Sequence, residues 1–338
     1  MTKDDMLLEV RTEDAIGMVL AHDLTQIIPG KFKGRIFKKG HVIQKDDIPK
    51  LLDIGKEHIY ILNLKNGYLH ENEAAIQMAN LLYGENVELN EPREGKVNIK
   101  SKIHGLAKVN GDLINELNQI DEIAVATLKN NTVVKANQPI VGTRVIPLIV
   151  NKEKLEQFKK TIEQYKLKYG SDSLIHVKPF RQMKVGLITT GGEVFTGRIK
   201  DKFGPIVKQK IANLGSEVVE QRFSPDHAES IIQHIQAFKD EDVDLILVTG
   251  GMSVDPDDRT PGAIKQTGAN VVSYGTPMLP GSMLMMAYLG DTPIMGLPGC
   301  VMHDPFTSFD VLLPRICAGE KIEKEDITIM GYGGLYHC

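Results

Sequence analysis

The chain has 338 residues, 42% of them hydrophobic and 25% charged, with a formal net charge of −4. That length exceeds one ordinary core and points to two or three domains, and the charge balance gives the whole chain no nucleic-acid signature. No apolar run approaches the roughly 18 residues of a membrane span, so no membrane partner is expected, and the opening Met1-Thr2-Lys3-Asp4-Asp5-Met6 lacks the apolar core of a secretory signal.

Residues 1–65 read as a β-rich unit. Leu7, Leu8 and Val10 lead into the apolar run 15–20, a short strand and turn. Residues 29–40 are basic and punctuated by Gly30, Gly34 and Gly40, the pattern of a hairpin. Such a hairpin either holds an anionic ligand or acidic partner, or is simply solvated. Pro49 near the start and Gly55 after the end bracket a short helix, and residues 58–62 are a strand. Residues 66–150 read as a small α+β domain. Ala74, Ala75, Met78, Leu81 and Leu82 line one helical face over 70–84. The charged stretch 85–100 reads as loop or edge. Short apolar runs at 105–109, 123–127, 132–134 and 144–150 read as strands, with Asn110-Gly111 and Asn130-Asn131 as turns. Residues 151–180 are expected as a linking helix with Leu155, Phe158, Ile162 and Tyr165 on its apolar stripe.

From residue 181 to 320 short apolar strands alternate with helices, the signature of a doubly wound α/β domain. Strands are expected at 185–189, 216–220, 244–248, near Val271 and at 293–295. Helices are expected at 205–214, from Ser224-Pro225 as N-cap and N1, from Pro261, and from Cys300 through Leu312. The run Leu245-Ile246-Leu247-Val248 reads as a strand buried on both faces. Residues 321–338 are expected as a tail, ending in a flexible Gly331-Tyr332-Gly333-Gly334 stretch and a terminal His337-Cys338 pair.

In such a domain the loops after parallel strands gather at one edge. Here they are Thr189-Thr190-Gly191-Gly192-Glu193, Thr249-Gly250-Gly251-Met252-Ser253 on to Asp258, and Leu297-Pro298-Gly299. Glycine turns with free N–H groups and Thr or Ser hydroxyls hold phosphate oxygens. Asp255, Asp257 and Asp258 crowd three carboxylates into four positions, either a solvated turn or the holder of a cation. Asp258, Asp255 and Glu193 are the expected ligands of Mg²⁺, which takes oxygen donors and bridges to phosphate. The expected ligand is a phosphorylated small molecule with a divalent ion. The three cysteines are widely spaced, which suggests no disulfide framework and a reducing, cytoplasmic compartment. Cys300, at an expected helix start, is either a reactive thiolate or soft ligand with His303, or a small buried residue.

Residues 184–318 resemble the molybdenum-cofactor biosynthesis domain shared by molybdopterin adenylyltransferases and molybdopterin molybdenumtransferases. Gly250-Gly251-Met252-Ser253-Val254 is similar to the molybdenumtransferase form, Asp258-Arg259-Thr260-Pro261 to the adenylyltransferase form. Pro280-Gly281-Ser282 and Pro298-Gly299 match the two Pro-Gly loops, and Asp201 matches an early acidic position. The stretch 10–23 is loosely similar to the opening of molybdenumtransferases. The resemblance implies molybdopterin or its adenylated form as ligand, molybdate as co-substrate, Mg²⁺, a homodimer and other molybdenum-cofactor proteins as partners. It gives Asp258 and Asp255 catalytic roles. It places Thr190, Gly191, Gly192, Glu193, Asp201, Gly250, Gly251, Ser253, Pro280, Gly281, Ser282, Pro298 and Gly299 at the ligand. The sequence departs from the pattern where an acid, a lysine and an asparagine are usual: Gly192, Ser282 and Cys300 stand there. Three functions therefore compete: a molybdopterin molybdenumtransferase, a non-catalytic molybdopterin carrier or sensor, and a nucleotide pyrophosphatase acting on ADP-ribose, the last suggested by Asp257-Asp258-Arg259-Thr260.

Overall fold

The computed structural model describes residues 6–62, 64, 66–170, 174–256 and 258–336. The chain divides into two compact units, Met1–Val177 and Lys178–Cys338.

In the first unit, Leu7–Arg11 pairs antiparallel with His58–Leu62, and the basic hairpin forms between Leu24–Ile28 and Phe32–Phe37. Leu20, Leu24, Phe37, Ile43, Leu51 and Ile59 close a small core there. A larger core lies under a four-stranded antiparallel sheet in the order Val87–Leu89, Lys96–Ser101, Pro139–Val145, Ile123–Thr127. The stretch expected as loop thus contributes two strands, because Val97 and Ile99 alternate into the core between charged neighbours. Asn110-Gly111 is no turn: the Asn110 side chain accepts from Leu113 N–H and caps the helix Gly111–Leu117. Helix Lys152–Tyr169, expected as a linker, buries Leu155, Phe158 and Ile162 in the same core as Met78 and Leu82 of helix Glu71–Leu82.

At the start of that second helix sits a buried polar knot. The His70 Nε2–H donates to Ala21 O at 2.7 Å, while Nδ1 accepts from Asn72 N–H. Burial drives its pKa down to about 4, so it stays a neutral, doubly bonded pin. Glu71 beside it is pushed up to about 7, by burial first and then against the opposing Arg144, with Asp23 and Glu94 adding repulsion.

The second unit is a three-layer α/β/α sandwich. Its strands are β1 (Lys184–Thr190), β2 (Glu217–Ser224), β3 (Leu245–Thr249), β4 (Asn270–Tyr274), β5 (Met285–Leu289) and β6 (Thr292–Leu297). Besides the single turn Gly192–Phe195, its helices are α1 (Phe203–Ala212), α2 (Ala228–Asp240), α3 (Thr260–Gln266), α4 (Ser308–Cys317) and α5 (Lys324–Thr328). The sheet order is β2-β1-β3-β6-β5-β4, parallel from β2 to β6, with β5 antiparallel to both its neighbours. Side chains alternate across it. Leu187, Leu245, Leu247 and Met295 pack under α1 and α4; Ile188, Ile246, Val248 and Ile294 pack under α2 and α3. All of β3 is buried, as a strand covered on both faces must be.

Three expectations are corrected. Helix α2 starts at Ala228 after His227, not at Ser224, whose hydroxyl bonds Ser230 Oγ and Pro225 O instead. No continuous helix starts at Cys300: a short turn Gly299–Met302 is followed by a break, and α4 begins with Thr307 capping and Asp310 closing the box. The tail is packed rather than loose. Ile322 and Ile327 are in the core, Tyr336 N–H donates to Leu279 O at 2.8 Å, and its ring lies 4.9 Å from that of Phe306. His337 and Cys338 lie outside the described residues.

Candidate functional site

From β1 the chain crosses to β2 on one side, and from β2 it returns to β3 on the other. The carboxyl ends of β1 and β3 therefore splay at a topological switch point, where open α/β sheets form their ligand crevice. A cleft of about 480 Å³ lies there. Thr189 and Thr190 of β1, Thr249 of β3 and Gly250 form its base; Ile199, Lys200, Asp201, Lys202 and Phe203 form one wall, with Val194 and Met302 completing it.

Gly250 is fixed by sterics. Its φ is +87°, a region that favours glycine, and a Cβ there would collide with the Thr190 carbonyl and lie 2.7 Å from its hydroxyl. The turn is closed behind it by Thr260, whose hydroxyl donates to Gly250 O at 2.8 Å. The two Thr-Gly-Gly turns are thus in direct contact. Thr190 itself is 5% exposed, and its hydroxyl has no hydrogen-bond partner among the described residues. A buried hydroxyl without a protein partner costs free energy unless a ligand or an ordered water supplies one.

Asp201 is held rigidly at the wall. Its carboxylate accepts Phe203 N–H at 2.8 Å and Gly204 N–H at 3.0 Å, and Gln221 Nε2–H₂ donates to it at 2.7 Å while also donating to Thr189 Oγ1 at 2.9 Å. Lys200 and Lys202 flank it at the exposed rim. The cleft therefore offers a fixed carboxylate, an unsatisfied hydroxyl and two cations. That combination suits a heterocycle with N–H donors that also carries phosphate.

Of the residues singled out in the sequence, the structure brings Thr190, Asp201 and Gly250 together in the cleft, with Gly251 next to Thr190 and Thr260. Gly191 makes the turn after β1, Gly192 opens the one-turn helix Gly192–Phe195 with its N–H donating to the Asp226 carboxylate at 2.8 Å, and Glu193 in that helix is exposed and does not line the cleft. Ser253 lies further along the Gly-Gly loop and is exposed. The Pro-Gly loops are elsewhere. Gly281 O accepts from Ser308 Oγ at the start of α4, and Ser282 lines a separate pocket with Leu279, next to Pro280. Pro298 and Gly299 do not line the cleft. Gln221, Lys200, Lys202 and Met302 join the site without having been expected there. Two lysines bracketing Asp201 were the available signal; for Gln221 there was none.

The carboxylates do not form a preformed magnesium site. Among the described residues no three His, Cys, Asp or Glu side chains come together to hold a metal. Asp255 is exposed, and its N–H donates to the Asp258 carboxylate at 3.1 Å while Asp258 N–H donates to Asp255 O, so the pair makes a turn. Asp257 lies outside the described residues. Cys300 is no activated thiol: burial first, then Asp304, push its pKa up.

A sandwich of this topology with its cleft at the β1/β3 switch point belongs to the open α/β class that binds small molecules at the carboxyl ends of its strands. The comparisons narrow the class. A family model described as "Probable molybdopterin binding domain" matches residues 186–317, and one described as "Domain of unknown function (DUF8806)" matches residues 9–63. A molybdopterin molybdenumtransferase of Staphylococcus aureus (strain COL) is 30% identical over 130 residues, 36% of this chain and 31% of that protein. A CinA-like protein of Mycobacterium marinum is 34% identical over 77 residues, 23% of this chain and 18% of that protein. The chain thus spans less than a third of the length of these curated relatives. Among solved structures, the molybdopterin biosynthesis enzyme MoaB of Thermus thermophilus is 24% identical, covering 41% of this chain and 98% of its own, with a TM-score of 0.34. Residues 186–317 are a domain of the molybdenum-cofactor biosynthesis family.

Proposed function

We infer that the cleft of the second unit binds molybdopterin or adenylyl-molybdopterin, and that the protein acts as a molybdopterin molybdenumtransferase with molybdate as co-substrate. The observation that carries this reading is the buried, partnerless Thr190 hydroxyl at the base of a cleft whose wall presents Asp201 and whose rim presents Lys200 and Lys202. Asp201 accepts from the N–H groups of a pterin's amino-pyrimidinone edge. The lysines neutralise phosphate, and the Thr190 hydroxyl gains the bond it lacks. Hydrolysis of the adenylyl form breaks the anhydride by adding water, releasing AMP and the pterin phosphate. Asp258 and Asp255 are the candidate catalytic residues. Since the described carboxylates make no closed metal cage, Mg²⁺ would arrive with the ligand's phosphate and draw on Asp258, the mode in which Mg²⁺ keeps several waters. A homodimer, a cytoplasmic setting and contact with other molybdenum-cofactor proteins complete the proposal.

A second reading, hydrolysis of ADP-ribose, is favoured by the Asp258-Arg259-Thr260 sequence closing the loop. The departures at Gly192, Ser282 and Cys300 favour a third, a carrier that binds without turnover. One incubation separates them. Wild type and Asp258→Ala are given adenylyl-molybdopterin, Mg²⁺ and molybdate, or ADP-ribose alone, and AMP is measured. AMP from the pterin substrate with wild type and not the variant supports the transferase. Binding without AMP selects the carrier, and AMP from ADP-ribose selects the pyrophosphatase.

A further inference from the structure

The loop that follows β3 is tied down from an unexpected direction, the far end of the sheet. Tyr274, the last residue of β4, places its hydroxyl 3.0 Å from Met252 O and 3.3 Å from Ser253 O. The sheet runs β3, β6, β5, β4 from the root of the loop to this anchor. The loop crosses that span with Met252 buried and pressed onto Gly296 of β6, where a Cβ would stand 2.6 Å from the Met252 sulfur. Burial first, then Asp258, push the Tyr274 phenol up, so it remains a donor. Lys265 Nζ lies 5.9 Å from the ring centroid.

We propose that Tyr274 is a positioning residue for phosphate, holding the Met252 and Ser253 peptides so that the Ser253 and Val254 N–H groups face an incoming phosphate. The proposal rests on the reading of the second unit as a pterin phosphate site. The argument is peptide geometry. In a planar trans peptide the N–H points opposite to the C=O. With Met252 O and Ser253 O drawn toward the Tyr274 hydroxyl on β4, the N–H groups of Ser253 and Val254 point away from β4. No described residue accepts from either N–H. Two adjacent free N–H groups with a common direction make an anion-binding nest. Tyr274 touches no ligand in this scheme. It acts through the loop, and it works from a strand end that carries no motif.

The test uses the full chain and Tyr274→Phe, which keeps the ring and removes the hydroxyl. The first readout is hydrogen exchange, without ligand, of the Asp255, Asp258 and Thr260 amides, the loop's hydrogen-bonded N–H groups. An acceleration of about fivefold is expected for the loss of one hydrogen bond; unchanged exchange overturns the strut. The second is calorimetric titration with molybdopterin and with the same pterin after phosphatase treatment. Affinity for molybdopterin is expected to fall about fivefold in the variant, while the dephosphorylated pterin binds wild type and variant alike. Equal loss with both pterins, or no loss with either, overturns the phosphate role. Failure of wild type to bind either pterin refutes the site reading itself, and the exchange result still decides the strut.

Discussion

Replacing Thr190 by valine moves stability and affinity in opposite directions. The side chain is 5% exposed, and its hydroxyl has no partner among the described residues. A buried, unsatisfied polar group costs about 1–3 kcal/mol, and valine has nearly the same shape without that cost. Thr190→Val should therefore stabilise the ligand-free protein by about 1–3 kcal/mol. For a unit of this size that raises its melting temperature by roughly 2–4 °C per kcal/mol. The same change removes the group assigned to the ligand, so pterin affinity should fall about five- to tenfold. Differential scanning calorimetry of wild type and variant, with and without molybdopterin, reads both effects. A variant less stable than wild type would show that the hydroxyl is already satisfied and would remove the central support for the site.

Three further outcomes are expected. Glu71 has its pKa raised from an ordinary 4.5 to about 7, so its protonated form is the one the fold favours. Its stabilisation is complete below about 4.5 and is lost as pH rises through about 7. At about 1.4 kcal/mol per pH unit this amounts to about 3 kcal/mol. Urea midpoints of the first unit should fall between about pH 5 and pH 8 in wild type and stay flat in Glu71→Gln; parallel curves would contradict the assignment. Gly250→Ala should destabilise the second unit by about 1–3 kcal/mol, since alanine at that φ collides with the Thr190 carbonyl, and should abolish pterin binding; wild-type melting would refute the steric argument. Cys300 and Cys317 both have raised pKa values, Cys317 up to about 11 by burial, so peptide mapping after iodoacetamide treatment near neutral pH should find both largely unmodified. Rapid labelling of Cys300 would restore it as a reactive thiol.

Much of the second unit was legible because its rules are local. An all-apolar run ending in Gly-Gly announces a buried parallel strand, and β3 is one. Met285–Leu289 escaped because Met, Leu and Ala carry no strand preference; pairing with β4 and β6 imposes the strand. The Thr307-to-Asp310 capping box stood in the sequence and marked where α4 starts. The apolar residues after Cys300 masked it. In the first unit, charged residues hid the alternation of Val97 and Ile99. The site divided along the same line. Thr190 and Gly250 lie in repeated Thr-Gly-Gly turns and could be read, whereas Gln221 and Tyr274 reach their partners only after the sheet has assembled. The carboxylates at 193, 255 and 258 had a metal-like spacing, and spacing in a loop does not fix direction.

The most direct test of the account is calorimetric titration of molybdopterin into wild type and Asp201→Asn. The cleft predicts saturable binding of one pterin per chain and an affinity loss of about tenfold or more in the variant, because the fixed carboxylate accepts from the pterin edge as a charged partner. No heat with wild type, or equal affinities for the two proteins, would contradict it.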